Sequence, residues 1–411
     1  MIYDAIVVGS GPGGASAAFE LSLRGLKTLV LEKAKHPRHK ACGGALSVKI
    51  ERVLGDSFHH LVERTISGIS LSFRGEERFT THSDRPIAYL VQRERFDEWL
   101  CERAKAAGAI VKENEAAVAV REASDAVVVK TSKATYRGQV LIGADGARSV
   151  VARSLRMVPH HLVGLAIDGE VAVPPALMAS FDGVAEIEIG RVPNGYGWVF
   201  PKKADVSFGV ATLRESGRKL RRHYRDFVGQ HEFLQRLPNH RSFGAIVPGF
   251  GGRKNHLVSH RAILVGDAAG LVDPFLGEGI YYAVRSGQIA AEVVADAVAG
   301  SNTELACRKD ALAPYDRRIA REFYGEFRHA LNAGRFISFC PRWCFELLRH
   351  SADGLELYFQ VLRGEESYSR LWRQFVKHLV ALRWLAKEPI DGAGRTFSSR
   401  PFHPGASPRR G

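Results

Sequence analysis

Apolar and polar residues alternate with two different periods along this chain, and the switches between them mark out its elements. Ile2 to Val8 is strand-like and ends in the apolar run Ala5-Ile6-Val7-Val8. Residues 13–25 read as a helix, and Lys27-Thr28-Leu29-Val30-Leu31 reads as a second strand ending in Glu32. Strand, helix and strand packed into ~30 residues make a βαβ opening. Residues 93–107 predict an amphipathic helix, with Phe96, Trp99, Leu100, Ala104 and Ala107 near i, i+3, i+4 spacing. Residues 126–131 and 136–142 read as strands. Further on, Ala185-Glu186-Ile187-Glu188-Ile189 and Val206-Ser207-Phe208-Gly209-Val210 repeat at period two, as a sheet with two unlike faces requires. An apolar strand resumes after about residue 256, a helix follows over 279–298, and 301–388 is mostly helical in pattern. Residues 389–411, rich in Pro, Gly, Ser and Arg, predict a disordered tail.

Three loops follow the buried strands in a telling order. Gly9-Ser10-Gly11-Pro12-Gly13-Gly14 follows the first strand, Gly143-Ala144-Asp145-Gly146-Ala147-Arg148-Ser149 follows Val140-Leu141-Ile142, and Gly266-Asp267-Ala268-Ala269 follows Ala262-Ile263-Leu264-Val265. In the first, Gly9 permits a tight turn, Gly11 lets backbone approach a pyrophosphate, and Gly14 lets helix and strand pack closely, with Gly13 counted among the cofactor-binding positions. The helix start offers unpaired amides and partial positive charge to phosphates. Glu32 stands about 20 residues on, where a carboxylate accepts ribose hydroxyls and repels a 2′-phosphate. Asp267 is placed to reach a ribityl hydroxyl. In Asp273-Pro274-Phe275-Leu276-Gly277-Glu278-Gly279, Gly277 and Gly279 let backbone approach a flavin ring. The helix opening at Ile280 would stabilise negative charge on that ring. The Asp145 stretch, with Arg153, ties the pyrophosphate loop to the sheet. Arg93 reads as a ribityl or phosphate contact or as a solvated surface arginine, and Val118 as a backbone contact to adenine. Together these predict FAD, held without a covalent link. Only one such fingerprint occurs, so a reduced nicotinamide donor would visit transiently, and NAD(P)H and ferredoxin both remain open as electron source.

The predicted fold class is therefore α/β. A Rossmann-like FAD-binding domain is assembled from 1–65, 88–158 and 256–300. An inserted β-sheet substrate domain is drawn from 66–87 and 159–255. The helical C-terminal region covers 301–388.

Composition narrows the setting. The 411 residues are 45% hydrophobic and 25% charged, ordinary values for a globular protein of about two domains. No apolar run is long enough to cross a bilayer, and the strand pattern starts by Ile2, leaving no room for a signal peptide. The expected location is cytoplasmic, with the inner membrane surface as a peripheral alternative. Five cysteines, at 42, 101, 307, 340 and 344, are too few and scattered for a disulfide framework. Neither they nor the doublets His59-His60 and His160-His161 show a metal-ligand spacing, so no metal is expected. Of the net charge of +14, residues 301–411 hold an uneven part, 19 Lys and Arg against 12 Asp and Glu. No nucleic-acid motif accompanies it, which points to an anionic membrane or a phosphorylated lipid. The same region offers an amphipathic helix over 368–387, with Leu371, Phe375, Leu379, Leu382 and Ala386 on one face, and three of the five Trp (343, 372, 384). It reads either as a membrane-lying helix or as the cap of a substrate cavity.

Two further stretches carry a resemblance. Lys40-Ala41-Cys42-Gly43-Gly44-Ala45-Leu46-Ser47 resembles the cysteine loop of the geranylgeranyl reductase family. Pro193-Asn194-Gly195-Tyr196-Gly197-Trp198-Val199-Phe200-Pro201-Lys202 resembles that family's Tyr-x-Trp-x-Phe-Pro stretch. The wider group includes para-hydroxybenzoate hydroxylase, and the resemblance covers residues 1 to about 300. It implies FAD-dependent saturation of carbon–carbon double bonds in a prenyl lipid. Cys42 and Gly43 would then lie at the flavin, with Cys42 either delivering a proton or filling space as a small apolar residue. Tyr196 and Trp198 would be catalytic, and Tyr196, Trp198 and Phe200, all on one strand face, would hold substrate or serve only the core. Two rivals stand beside this reading: a flavin monooxygenase of an aromatic or isoprenoid substrate, and a prenyl-binding protein without catalysis. Halogenases carry Trp-x-Trp-x-Ile-Pro at the corresponding place, from which Tyr196 and Phe200 depart.

Overall fold

The computed structural model describes residues 1–157, 161–213, 216–237, 240–299 and 309–385. The expected tail at 389–411, Cys307 and His160 lie outside them. Residues 1–372 make one compact unit and 373–411 a second.

Three parallel strands set the frame. β1 (Ile2–Val8) lies between β2 (Thr28–Leu31) and the strand Thr135–Gly143, which also pairs in parallel with Ala262–Leu264. Their central stretches, Ala5–Val8, Leu29–Leu31, Val140–Ile142 and Ala262–Leu264, are apolar and buried, as strands covered on both faces must be. The register aligns Val8 with Leu31 and Gly143, and Gly143 with Leu264. The glycine loop, the Ala144-Asp145 loop and the Gly266-Asp267 loop therefore leave the sheet at one edge, the carboxyl end where open α/β sheets bind ligands. Ile110–Lys112 extends the sheet beyond β2, and the antiparallel strands Val127–Thr131 and Ala117–Glu122 extend the other side.

The helix α1 (Pro12–Leu23) starts immediately after the glycine loop and packs against the helix Ile280–Ala299. The approach is close: a Cβ on Gly287 would lie 2.2 Å from the Gly13 carbonyl oxygen.

A second seven-stranded sheet runs in the order Arg241–Phe250, His161–Ala172, Asp205–Thr212, Gly195–Pro201, Val184–Ile189, Gly68–Phe73, Glu77–His82. Among the described residues, the one parallel strand pairing of this sheet joins Gly68–Phe73 to Val184–Ile189. The hairpin over 68–82 thus joins a strand more than 100 residues away. A small three-stranded sheet (Ala45–Ser47, Ala88–Val91, Val62–Ile66) lies apart from both. The C-terminal region is helical at Lys309–Ile319, Gly325–Phe339, Pro341–His350, Ala352–Arg363 and Tyr368–Leu385. No helix among the described residues is long and apolar enough to cross a membrane.

Candidate active site

Backbone geometry at the glycine loop allows few substitutions. Gly9 has φ +96°, and a Cβ there would sit 2.4 Å from the Ala144 carbonyl oxygen. A Cβ on Gly14 would sit 1.9 Å from the Gly9 carbonyl oxygen, so α1 can start only where position 14 has no side chain. Gly13 turns out to serve helix packing: its Cβ would meet the Ala283 carbonyl oxygen at 3.0 Å. Above Gly11 the nearest atom is Nη2 of Arg38, 3.7 Å from a built Cβ. No side chain caps the start of α1, so its first amides and the Arg38 guanidinium make a cationic cradle of the kind a pyrophosphate fills.

Behind the loop runs a chain of buried charges. Glu32 Oε2 accepts hydrogen bonds from Ser10 N and Ser10 Oγ, both at 2.8 Å, and Oε1 accepts from Ala34 N at 3.1 Å. Burial alone would raise this carboxyl, but Arg38 and these donors outweigh it and hold it below the ordinary value. Arg38 lies 3.7 Å from Glu32 Oε1 and 3.3 Å from Asp97 Oδ2. Asp97, fully buried, is gripped by Arg93 through two bonds of 2.9 Å. The solvated reading of Arg93 is thereby excluded: it is 7% exposed, and its guanidinium also faces Cys42. The spacing 93/97 was a legible signal, since i, i+4 pairs of opposite charge meet on a helix. Ser10 Oγ also lies 2.7 Å from Nε2 of His36. His36, Cys101 and Glu113 gather their ligand-type atoms within 4.8 Å of one another, and burial pushes the Cys101 thiol up to about 11.

The opposite wall of the cradle is the Asp267–Gly279 segment. A Cβ on Gly279 would lie 3.6 Å from Asp267 Oδ1, so these two predicted cofactor residues are neighbours. Asp273, 1% exposed, shapes the loop by accepting from Phe275 N (2.7 Å) and Leu276 N (2.9 Å) through Oδ1. Ile280 starts the long helix as a buried residue among Ala15, Leu46 and Val284. Glu278 accepts from Ser47 Oγ and from Lys49 Nζ at 2.6 Å, clamping the cysteine-loop segment to the flavin loop. Lys49 is 8% exposed and near the rings of Tyr281 and Tyr282. Burial would lower its pKa, but Glu278 and Asp273 reverse the sign and keep it charged.

The aromatic face forms as the two-residue spacing predicted. Ring centroids of Tyr196 and Trp198 are 6.1 Å apart, and those of Trp198 and Phe200 6.2 Å. The cysteine loop rests on this wall: a Cβ on Gly43 would meet Phe200 at 2.8 Å and Trp198 Nε1 at 3.1 Å. At the other end Tyr196 Oη donates to the Leu276 carbonyl (2.9 Å) beside Gly277, whose φ is +70°. One strand therefore spans from Cys42-Gly43 to Leu276-Gly277. Cys42 is tethered through its amide to Asp168 Oδ2 at 2.9 Å. Burial raises the pKa of Asp168, which is 2% exposed. Lys202, fully buried at the end of the motif, donates to Gln92 Oε1 at 2.8 Å and to Glu170.

The sequence offered the helix over 368–387 as a cavity cap but did not single out the residues of the C-terminal helices that reach the flavin loop. Phe275 meets the rings of Tyr358 and Tyr368 at centroid distances of 6.4 and 5.9 Å. Burial pushes the pKa of both tyrosines up. No local motif marks either one; only their position on helices facing the loop does. Val118, expected as a backbone contact to adenine, is 51% exposed on the edge strand Ala117–Glu122. For the helix over 368–387, the structure describes side chains only to residue 377, so its outer face lies largely outside the described residues.

Residues 2–161 match the model of an FAD binding domain. A geranylgeranyl diphosphate reductase of Rhodobacter capsulatus is 35% identical over 316 residues, covering 71% of this chain and 75% of that protein. The chain belongs to the geranylgeranyl reductase family. A menaquinone reductase of Mycolicibacterium smegmatis is 30% identical over 71% of this chain and 76% of its own length. Among solved structures, a geranylgeranyl bacteriochlorophyll reductase-like protein of Thermoplasma acidophilum superposes with TM-score 0.70 at 24% identity, covering 82% of this chain and 88% of that one. A flavin-dependent brominase reaches TM-score 0.69 at 19% identity, which is a likeness of fold. The protein is thus an FAD-dependent reductase of this family, and its cradle fits FAD: uncapped amides, an open Gly11, and acids at 32 and 267 for the cofactor's hydroxyls.

Proposed function

We propose that this protein saturates carbon–carbon double bonds of a geranylgeranyl or related prenyl lipid chain. The observation that carries the reading is the aromatic wall Tyr196-Trp198-Phe200, which runs between the cysteine loop and the flavin loop. An apolar wall beside a redox cofactor suits an isolated alkene, which has to be held in a near-attack pose with water excluded.

Bound FAD, once reduced, supplies hydride. The chain's own groups do the rest. Glu32 and Asp267 accept the cofactor's hydroxyls, and Arg38 with the start of α1 holds its phosphates. Asp273 fixes the loop Phe275–Gly277 in shape, and Lys49 with Glu278 locks that loop to the strand Ala45–Ser47. Trp198 and Phe200 exclude water and orient the chain.

Peripheral contact with an anionic membrane belongs to the same proposal, since a prenyl lipid has to be drawn from one. The helix Gly217–Val228 supports it by exposing Arg218, Lys219, Arg221, Arg222 and Arg225 on its outer face. Each cation near an anionic surface contributes ~1 kcal/mol.

The deciding experiment is anaerobic reduction of the holoprotein with a geranylgeranyl lipid, followed by mass analysis. A gain of two hydrogens per double bond is expected. A gain of one oxygen under air would make the protein a monooxygenase, and tight prenyl binding with no product would make it a carrier.

A further inference from the structure

Saturation of an alkene needs a proton as well as a hydride, and the aromatic wall contains no obvious donor with a free hydrogen. Tyr196 spends its hydroxyl proton on the Leu276 carbonyl, and Trp198 directs its N–H at Ser207 Oγ, 3.4 Å away. The helix Ala352–Arg363 offers a different group. Tyr358 packs in the same apolar cluster as Phe200 and Ala45, which follows the cysteine loop. Its ring also meets Phe275 of the flavin loop. It therefore bridges the two ends of the wall. Unlike Tyr196, its hydroxyl has no hydrogen-bond partner among the described residues, so its proton is uncommitted.

Deeper in, Asp273 Oδ2 and the Tyr368 hydroxyl are both buried without a hydrogen-bond partner among the described residues, in residues 1% and 2% exposed. The ionisable groups whose charge acts on Tyr358 are Tyr196 and Asp273.

We propose that Tyr358 is the catalytic proton donor of the reaction. This rests on the prenyl-reductase reading. The balance is simple. The alkene is reduced by two electrons that arrive as hydride from the reduced flavin at one carbon. The π electrons form the second C–H bond with the Tyr358 hydroxyl proton as the O–H bond breaks. The phenolate of the half-buried Tyr358 is then reprotonated from solvent.

The test is Tyr358→Phe in the FAD-loaded, anaerobically reduced protein with a geranylgeranyl lipid, followed over a single turnover in D₂O. Removal of a positioned acid should slow saturation about 10²–10⁴-fold. FAD content and lipid affinity, read by flavin fluorescence of the oxidised protein, should stay within about twofold, because the ring remains. In the wild type, deuterium should enter the protonated carbon from one face. In the variant, residual product should carry it on both faces, a change that a merely structural role would not produce. A variant saturating the lipid at near wild-type rate and with unchanged stereochemistry would overturn Tyr358 as donor and leave the reductase reading intact. A wild type yielding no saturated product would overturn both.

Discussion

The cofactor cradle and the substrate wall sit on the same loops but are held in opposite ways. The cradle is held by backbone: Gly9, Gly14 and Gly287 bring main chains so close that no side chain fits between them. The wall is held by side chains drawn from five distant segments, through Lys49–Glu278, Cys42–Asp168 and the aromatic contacts of Phe275. A backbone-built site is rigid and specifies a ligand shared by many proteins. A side-chain-built site can be altered one residue at a time, which fits a pocket whose lipid differs among relatives.

Breaking one clamp of the wall should have the largest effect. Lys49→Met leaves Glu278 buried beside Asp273 without its cation, and removing one partner of a buried pair costs about 3–5 kcal/mol. Denaturant unfolding of the holoprotein should show that loss; a variant within 1 kcal/mol of wild type would mean the clamp is no stronger than a surface pair.

Changes in the cradle should appear in cofactor affinity. Glu32→Ala and Asp267→Ala each remove acceptors for cofactor hydroxyls, worth about 1–3 kcal/mol, or roughly 10- to 100-fold in FAD dissociation constant. Titration of apoprotein with FAD measures it, and full affinity in both would move the cofactor elsewhere. Acid precipitation should release all the flavin to the supernatant. The pH dependence has a definite sign. Glu32 sits below its ordinary 4.5, so its contribution is present above that pH and is lost as pH falls through the lowered folded value. The stability advantage of wild type over Glu32→Gln should shrink below pH 4.5, and an advantage unchanged in stronger acid would rule the network out.

Trp198→Phe separates the two regions directly: turnover should fall by tenfold or so while FAD content holds, since only the wall changes. Equal loss of both would make Trp198 a scaffold residue. Least of all, Val118→Ser on the exposed sheet edge should change FAD affinity and stability by under about 0.5 kcal/mol.

The same contrast explains what could be read from the chain. Each cradle element is a contiguous stretch after a buried strand, so Gly9–Gly14, Glu32 and Asp267 were placed by pattern alone. The face shared by Tyr196, Trp198 and Phe200 was equally legible from its spacing. Lys49, Asp168, Tyr358 and Tyr368 were not. Each is a single residue whose meaning comes from a partner on another element, such as Glu278 for Lys49 or Phe275 for both tyrosines. Arg93 fell between: its pairing with Asp97 was visible as a helical spacing, but its burial against Cys42 was not.

The parallel pairing of Gly68–Phe73 with Val184–Ile189 also bears on how the chain is made. The hairpin Gly68–His82 leaves the ribosome with one edge open, and its partner Val184–Ile189 is synthesised more than 100 residues later. At about 5–20 residues per second the open edge waits on the order of 5–20 s, far longer than a hairpin needs to form. During that interval Ile69, Leu71 and Phe73 have no sheet to enter, and an unpaired apolar edge is a site for pairing between nascent chains. Yield of folded protein should therefore respond to translation speed and to chaperones that bind extended apolar segments, with the hairpin as the segment they protect.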